Sequence, residues 1–373
     1  MSIFLLILGL FMFVMLVVVH ELGHFVAARR SGVEVEEFGI GFPPRAWKKR
    51  LKSGLLFTIN WLPLGGFVRL KGEHDSDTAR GSFGAASLSA KTKIMVAGVA
   101  MNLITAFILL TILAAVGMPK LVDNQFNVKS DVKTTVNRVL IGDVEPGSPA
   151  DKAGLKIRDQ LLSIGPVVDA AQTVTSQEQL PTITKQLAGQ KVIVTIERGG
   201  KQQARLATLR SNQEIEASIK SKARKGYLGI SPTEYTLERS TWSAPIVAGG
   251  LIGQFTTLTL KGIGNALGAV FSGNGSKASK QVAGPVGIFK ILKSGSLLGY
   301  QFILMIVAII SLTLAIMNVL PIPALDGGRL FVTYLYRILR RPLGQKTEDR
   351  IHGTGFVLLM MLFVLITIVD IKR

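Results

Sequence analysis

Cysteine is absent from the 373 residues of this sequence, and histidine occurs only four times. The chain therefore has no disulfide framework, no thiolate metal site and no cysteine nucleophile. Any catalytic metal would have to be held by histidine, aspartate or glutamate side chains. Acidic residues are also few, 24 against 43 basic residues, and the formal net charge is +19.

The excess of basic residues accompanies a hydrophobic composition, 48% of the chain. Basic residues flank the apolar runs and do not cluster with aromatic residues, as a nucleic-acid-binding surface would require. This pattern is typical of a membrane protein whose cytoplasmic loops face anionic lipid. We expect the lipid bilayer as a partner and no nucleic acid.

Four apolar stretches are long enough to cross a bilayer as helices. They cover residues 3–28, 94–117, 298–319 and 356–371. A further stretch, residues 244–271, is rich in glycine and is predicted to lie on the membrane surface as an amphipathic segment. The first stretch lacks a basic leader and a small-residue cleavage site, so we expect it to stay attached rather than be removed as a signal peptide.

Basic residues are concentrated between the first and second stretches and between the third and fourth. Short loops rich in lysine and arginine stay on the cytoplasmic side. This places both termini and residues 120–297 on the outer side of the membrane.

The motif His20-Glu21-Leu22-Gly23-His24 lies at the inner end of the first stretch. Two histidines four residues apart project from one face of a helix and can hold a single metal ion. Glu21 lies on an adjacent flank, where it can serve as a general base, and Gly23 leaves room for close approach of a partner or substrate. A chance match is the alternative, but each ionisable residue in a spanning helix costs roughly 2.5 kcal/mol or more unless it faces a cavity or a partner. We therefore predict a metal site.

Two histidines leave a catalytic zinc one protein ligand short, because open sites usually have three. Asp326 is the candidate third ligand, since it follows the third apolar stretch at the same side of the membrane. Pro321 and Pro323 precede it and are expected to unwind the helix and free backbone groups. The alternative is that Asp326 only caps the following helix.

Asn102 lies within the second apolar stretch, where an amide requires a hydrogen-bond partner. It could donate to a substrate carbonyl or oxyanion. It could equally join two helices.

The loop after the first stretch contains two runs with strand character, residues 55–60 and 66–70. They predict a β-hairpin on the cytoplasmic side. Its exposed edge, expected at Thr58 and Ile59, could bind an extended peptide by strand addition, and a plain structural loop is the alternative. The polar residues 72–77 that follow are interpreted as a solvated loop rather than a second metal site.

Residues 139–198 predict a small α+β module in the outer segment. A strand is followed by a turn, a helix at residues 150–153, a stop at Gly154 and further strands, among them residues 191–198. The pattern resembles a PDZ domain, and Arg158 stands where that family usually has glycine.

The chain as a whole resembles the site-2 protease family of intramembrane zinc metalloproteases, in particular its bacterial regulator-of-sigma-E branch. The resemblance rests on HExxH in the first stretch, GxxxN in the second, the PDZ-like module, and NxxPxPxLDG at residues 318–327. It covers nearly the whole chain. Members of the family often carry two PDZ modules, whereas only one is evident here.

The resemblance implies Zn²⁺ as the cofactor and roles for seven residues. The zinc ligands would be His20, His24 and Asp326. Glu21 would be the catalytic acid and base. The residues that shape the substrate site would be Asn102, Asn318 and Pro323.

The predicted fold is a polytopic α-helical membrane protein with four transmembrane helices, a cytoplasmic-side membrane-associated β-hairpin and an inserted α+β PDZ domain. Residues 1–119 would form the first membrane pair and residues 120–235 the PDZ-containing domain. Residues 236–297 would form the membrane-surface connector and residues 298–373 the second membrane pair.

The predicted function is cleavage of a substrate helix in a membrane protein already trimmed by an upstream site-1-type protease, in a bacterial inner membrane. Family function suggests anti-sigma factors or remnant signal peptides as substrates. A catalytically silent PDZ scaffold is the alternative, although a scaffold has no physical need of a zinc site. A transporter is a third possibility, but no inverted repeat supports it.

Overall fold

The structure is a computed structural model that describes residues 2–122, 124–167, 170–221, 224–272, 283–296 and 298–372. The chain divides into two compact units. The helical unit comprises Met1–Met118, Asn124–Asp131 and Ser240–Arg373, and the inserted unit comprises Pro119–Asp123 and Val132–Arg239.

Helices dominate the first unit and strands the second. In chain order the elements are α1 (Ser2–Arg30), β1 (Val35–Arg50), β2 (Leu56–Leu70), α2 (Leu88–Val116), β3 (Met118–Pro119), β4 (Lys133–Val144), α3 (Pro149–Lys152), β5 (Gln160–Gly165), β6 (Gln172–Thr173), α4 (Gln179–Gln186), β7 (Lys191–Arg198), β8 (Lys201–Thr208), α5 (Asn212–Lys220), β9 (Ile230–Arg239), α6 (Ala244–Phe271), α7 (Pro285–Gly295), α8 (Tyr300–Val319), α9 (Asp326–Ile338) and α10 (Gln345–Lys372).

Five of the described helices are long and apolar enough to cross a membrane: Ile3–Arg30, Leu88–Val116, Ala244–Ala269, Tyr300–Val319 and Gln345–Lys372. The structure is therefore consistent with the polytopic helical membrane protein predicted from the sequence. The third of these helices is α6, which the sequence placed on the membrane surface. The number of crossings stays a prediction, because length and composition alone do not decide it.

The two halves of α6 have different surroundings. Ala248, Leu251 and Phe255 in its first half belong to a buried apolar cluster shared with α2 and α8. Leu260 and Leu267 in its second half are exposed. Among the described residues of the helical unit, packing thus holds the beginning of α6 more than its end.

The hairpin of β1 and β2 bends back on itself. β1 turns at Gly41 and β2 at Gly65, with φ of 80° and 91°, a region that favours glycine. Because of these bends, residues 38–40 pair with residues 57–59 on one side and with residues 66–68 on the other. Four short antiparallel segments therefore lie side by side, in the order 66–70, 35–40, 56–60 and 45–50.

This order corrects the predicted position of the hairpin edge. Thr58 pairs with Gly39 on one side and Lys48 on the other, so it lies inside the sheet, and Ile59 does likewise. The expectation of an edge there was wrong because a simple two-stranded hairpin was assumed. Among the described strands, residues 66–70 and 45–50 form the two edges.

The inserted unit is an antiparallel sheet with short helices. Its strands run in the order β9, β4, β5, β7, β8, and β6 pairs with β5. Alternate apolar side chains of these strands build one buried core, as expected for a sheet with one covered face. Its largest strand members are Val139, Ile141, Leu161, Ile164, Val192, Val194 and Ile196.

Local features of the inserted unit follow the sequence pattern. The predicted strand at residues 191–198 is β7, and α3 begins at Pro149, one residue before the predicted start. Arg158 has φ of 74°, a left-handed conformation in which glycine is usual. The position therefore keeps the backbone geometry of a glycine turn despite its side chain. Assignment of the unit as a PDZ domain stays a prediction.

Candidate active site

α1 carries the two histidines of the HELGH motif on one face. His20 and His24 are both buried, and their Nε2 atoms lie 3.1 Å apart. The helix is continuous from Ser2 to Arg30. The spacing of four residues therefore brings the two imidazoles together without help from the rest of the chain.

Asp326 reaches the histidines from an interrupted pair of helices. α8 ends at Val319 and α9 begins at Asp326 itself. Pro321 and Pro323 lie in the gap, where their missing backbone N–H groups stop the helix. The Oδ2 atom of Asp326 lies 3.1 Å and 3.2 Å from the two Nε2 atoms.

The helix-cap alternative for Asp326 does not match this geometry. The residue at the N-cap position of α9 is Leu325, and no side chain accepts a capping hydrogen bond there. The carboxylate of Asp326 faces the histidines instead.

The three ligand atoms fit a zinc ion. They lie within 4.8 Å of one another, the only such group of three metal-binding side chains among the described residues. Zinc holds nitrogen and oxygen ligands at about 2.0–2.2 Å, so a tetrahedral site separates its ligand atoms by roughly 3.3 Å. The observed separations of 3.1 to 3.2 Å are close to that value. In the described part of the chain Asp326 Oδ2 is also buried without a hydrogen-bond partner, as a metal ligand would be.

α2 closes the site behind the histidines. A Cβ atom at Gly23 would lie 2.5 Å from the carbonyl oxygen of Ala97, so the space predicted at Gly23 is filled by α2. A Cβ atom at Gly98 would lie 2.5 Å from His24 Nε2. Neither position accepts a larger residue without moving the backbone or a ligand.

Both Nδ1 atoms of the histidines face α2. His24 Nδ1 lies 2.8 Å from the carbonyl oxygen of Ile94. His20 Nδ1 lies 3.2 Å from the side-chain Nδ2 of Asn102. Asn102 is only 1% exposed, and its predicted contact with substrate stays a prediction.

Glu21 lies beside the ligands and faces the edge of β2. The backbone N–H of Val68 faces its carboxylate. Its Cγ atom lies 3.3 Å from the place that a Cβ at Gly66 would occupy. Because residues 66–70 pair only with β1 among the described strands, an open strand edge runs past the predicted base.

Asn318 and Pro323 lie at the end of α8 and in the gap before α9. Asn318 is half-buried, and within the described ranges its side chain makes no hydrogen bond. Pro323 packs against α10, where a Cβ at Gly355 would lie 2.5 Å from the proline Cβ. The backbone N–H of Ala324, a residue with φ of 76°, donates to His352 Nδ1 at 3.2 Å. The segment between α8 and α9 is thus held in place by contacts with α10.

A buried ionic cluster holds the start of α9. Arg329, three residues after Asp326, donates a hydrogen bond to the backbone carbonyl of Glu73. Its guanidinium carbon lies 5.0 Å from the ring centroid of Phe83, and its Nε lies 3.8 Å from the Glu348 carboxylate. These contacts connect α9 to the loop after β2 and to α10.

The loop at residues 72–77 is tied to helices and is not the solvated loop predicted from the sequence. Asp75 pairs with Lys91, which is almost fully buried in α2. His74 Nε2 lies 2.9 Å from Asp349 Oδ1 of α10. The prediction was wrong because both partners are distant in the sequence.

Sequence reasoning missed three residues at the site: Val68, Gly98 and Arg329. Gly98 carried a signal, because it precedes Asn102 by four residues and therefore shares its face of α2. The role of the Val68 backbone and the pairing of Arg329 had no sequence signal, since both depend on long-range packing.

These features together define a class: a polytopic helical protein that brings two histidines and a glutamate of an apolar helix beside an aspartate at the start of another helix is a membrane metallopeptidase. The sequence profile of Peptidase family M50 matches residues 8–362. The chain therefore belongs to peptidase family M50, the site-2 protease family.

Relatives that align over nearly their whole length support this assignment. A Campylobacter jejuni relative is 31% identical over 365 residues, which cover 96% of this chain and 90% of the relative. The probable protease eep of Enterococcus faecalis is 28% identical over 445 aligned positions, covering 97% of each chain. The zinc metalloprotease RasP of Oceanobacillus iheyensis is 25% identical over 444, again covering 97% of each.

Proposed function

We propose that this chain is an intramembrane zinc endopeptidase that cleaves transmembrane segments of previously trimmed membrane proteins. The observation that supports the proposal is the convergence of His20, His24 and Asp326 beside Glu21, with the histidines on a helix apolar enough to cross a membrane. The name of the RasP relative supports zinc as the bound ion.

The residues divide the chemistry between them. Zinc bound to the three ligands would polarise the scissile carbonyl and lower the pKa of a water molecule. Glu21 takes the proton from the attacking water and returns it to the leaving amine. Its place beside the ligand atoms, and not among them, suits a proton carrier.

The strand edge at residues 66–70 would help the enzyme to cut a helical substrate. A peptide bond inside a helix is tied into the backbone ladder, and unwinding in lipid leaves its polar groups unpaired at several kcal/mol each. An unwound segment added to this edge would regain main-chain hydrogen bonds. The free amide of Asn318, beside the interrupted segment with Pro323, would supply another. The edge runs past Glu21, so the bound segment would pass the catalytic residues.

The proposal keeps the cellular arrangement predicted from the sequence: a bacterial inner membrane protein with the metal site near the cytoplasmic side, and with the PDZ domain and both termini outside. An upstream protease would trim the substrate, of anti-sigma factor or remnant signal peptide type. In the proposal the chain crosses the membrane four times and α6 lies at the membrane surface. This placement of α6 is supported by its packing, because its first half is buried and leucines of its second half are exposed.

Cysteine labelling tests this topology, since the natural chain has no cysteine. An impermeant reagent applied from outside should label Ser211→Cys and Lys372→Cys and should not label Ser53→Cys. If α6 crosses the membrane, Lys372→Cys will instead be labelled only after the membrane is opened. Labelling of Ser53→Cys from outside would reverse the whole orientation.

The proposed activity is tested by metal content and proteolysis of the purified chain in detergent. One zinc ion per chain is expected, with cleavage of a transmembrane substrate lost on chelation and restored by zinc. Full cleavage by the chelated protein would overturn the proposal. Zinc uptake without cleavage of any helical substrate would favour the scaffold alternative, which no contact in the described structure supports.

A further inference from the structure

The two histidine ligands are oriented from behind by α2, through their Nδ1 atoms. A histidine can bind a metal through Nε2 only if that atom carries a lone pair, and the partner of Nδ1 decides this. For His24 the partner is the carbonyl oxygen of Ile94 at 2.8 Å, which can only accept. Nδ1 of His24 therefore carries the hydrogen, and its Nε2 is free to bind.

For His20 the partner is the side-chain amide of Asn102. Its Nδ2 lies 3.2 Å from His20 Nδ1, while its Oδ1 is buried and, among the described residues, has no hydrogen-bond partner. Rotation of the amide by 180° exchanges these two atoms, and such groups are assigned from their hydrogen-bond network. With Oδ1 toward His20, the oxygen gains a donor and Nδ1 of His20 carries the hydrogen. Both Nε2 lone pairs then face Asp326 Oδ2.

We infer that Asn102 is a positioning residue for the metal site, which holds His20 in the tautomer and ring orientation that binds zinc. The inference rests on the proposed function and gives Asn102 a role different from contact with substrate. The Oδ1 atom of Asn102 would accept from His20 Nδ1, as the carbonyl oxygen of Ile94 accepts from His24 Nδ1. Both acceptors belong to α2.

The surroundings of Asn102 separate this role from the two others considered. Asn102 is 1% exposed and its amide contacts His20 Nδ1, so it is poorly placed to reach a substrate oxyanion. A helix-joining bond does exist at this residue, but it uses the backbone: Ser311 Oγ of α8 donates to the Asn102 carbonyl oxygen at 2.8 Å. The side-chain amide is left to His20.

The experiment compares zinc binding by three purified full-length variants. Asn102→Leu removes the acceptor, Asn102→Asp keeps an oxygen at the same place, and Ser311→Ala removes the helix-joining bond without touching His20. Zinc affinity is measured by competition with a chromogenic chelator, and the absorption spectrum of the Co²⁺-substituted protein reports ligand geometry. Thermal unfolding is recorded for each variant as a check on the fold.

Loss of an outer hydrogen-bond partner of a ligand typically costs about 10- to 100-fold in metal affinity. We expect that loss and an altered Co²⁺ spectrum for Asn102→Leu, near-native affinity for Asn102→Asp, and native affinity for Ser311→Ala. If Asn102→Leu binds zinc as the natural chain does but cleaves slowly, the inference is overturned in favour of an oxyanion donor. If it only unfolds more easily, helix joining is its role.

The same measurements distinguish failure of the inference from failure of the proposed function. If the natural chain takes up no zinc, both the proposed function and the inference about Asn102 are refuted. If the natural chain binds zinc and the Asn102→Leu variant binds it with equal affinity, only the role given to Asn102 is refuted.

Discussion

The two sides of the candidate metal site are built in opposite ways. His20 and His24 lie on one continuous helix, and a second helix packs directly against them through Gly98. Asp326 lies at an interruption between two helices, and its neighbours are held by partners from other parts of the chain. The first side is local in sequence and the second is not.

This difference shows which contacts the site depends on. The separation of the two imidazoles follows from helical geometry and needs no further support. The position of Asp326 depends on Arg329 bound to the loop after β2 and on the packing of Pro323 against Gly355. Changes in the histidine helix should therefore act on chemistry directly, while changes around α9 should act by displacing a ligand.

The largest expected effect comes from Glu21, the proposed base on the continuous helix. Glu21→Gln should lower cleavage roughly a thousandfold, because the amide keeps the shape of the side chain but cannot accept a proton. Zinc content should be unchanged. Cleavage of a transmembrane substrate and metal analysis on the same preparation measure both. Cleavage above a few per cent of the natural level would show that another group is the base.

Asp326→Asn tests the interrupted side by changing one ligand atom. A neutral amide is a poor match for the ion, so zinc affinity should fall. The decrease should exceed the roughly 10- to 100-fold that follows loss of a residue hydrogen-bonded to a metal ligand. Cleavage should fall with it. Competition with a chelator gives the affinity. An unchanged value would mean that the histidine side holds the metal without Asp326.

Val68→Pro tests the strand edge beside Glu21. The substitution removes the outward N–H, which faces the Glu21 carboxylate. If an entering segment takes over this N–H, the loss of one hydrogen bond worth about 1.4 kcal/mol would lower cleavage about tenfold with zinc still bound. Lys48→Pro, at the opposite edge of the same sheet, is the matched control. Substrates with glycine or proline near the cut should be less affected, because they unwind at lower cost. Equal losses for both variants would assign the effect to folding of the hairpin.

Arg329→Ala should give the smallest effect, acting only through the placement of Asp326. We expect zinc affinity to fall roughly threefold to tenfold, as about 1 kcal/mol of lost positioning implies. Arg337→Ala, on the exposed face of the same helix, controls for the change in charge. Affinities are compared well below the unfolding temperature of each variant. If both variants bind zinc alike, α9 is placed by the proline segment alone.

Sequence alone could predict what depends on local spacing. The histidine pair, the strand at residues 191–198 and the helix stop at Gly154 all follow from periodicity or backbone preference. The interior position of Thr58 could not be predicted, since it depends on two bends that fold one hairpin into four segments. The partners of His74 and Asp75 were missed for a similar reason, because they come from α10 and α2. The identity of Asp326 as a candidate came from its motif, while its support by Arg329 came only from the structure.

The close packing at Gly98 limits how the candidate site can be reached. Among the described residues, α2 packs against both imidazoles, whose side chains are 10% and 8% exposed, against 22% for Asp326. The side of Asp326 is thus the more open approach to the three ligand atoms. In the proposed reaction, water and peptide would both use this approach, and a docked peptide would cover it. The water consumed in a cycle would then have to be inside before the peptide arrives.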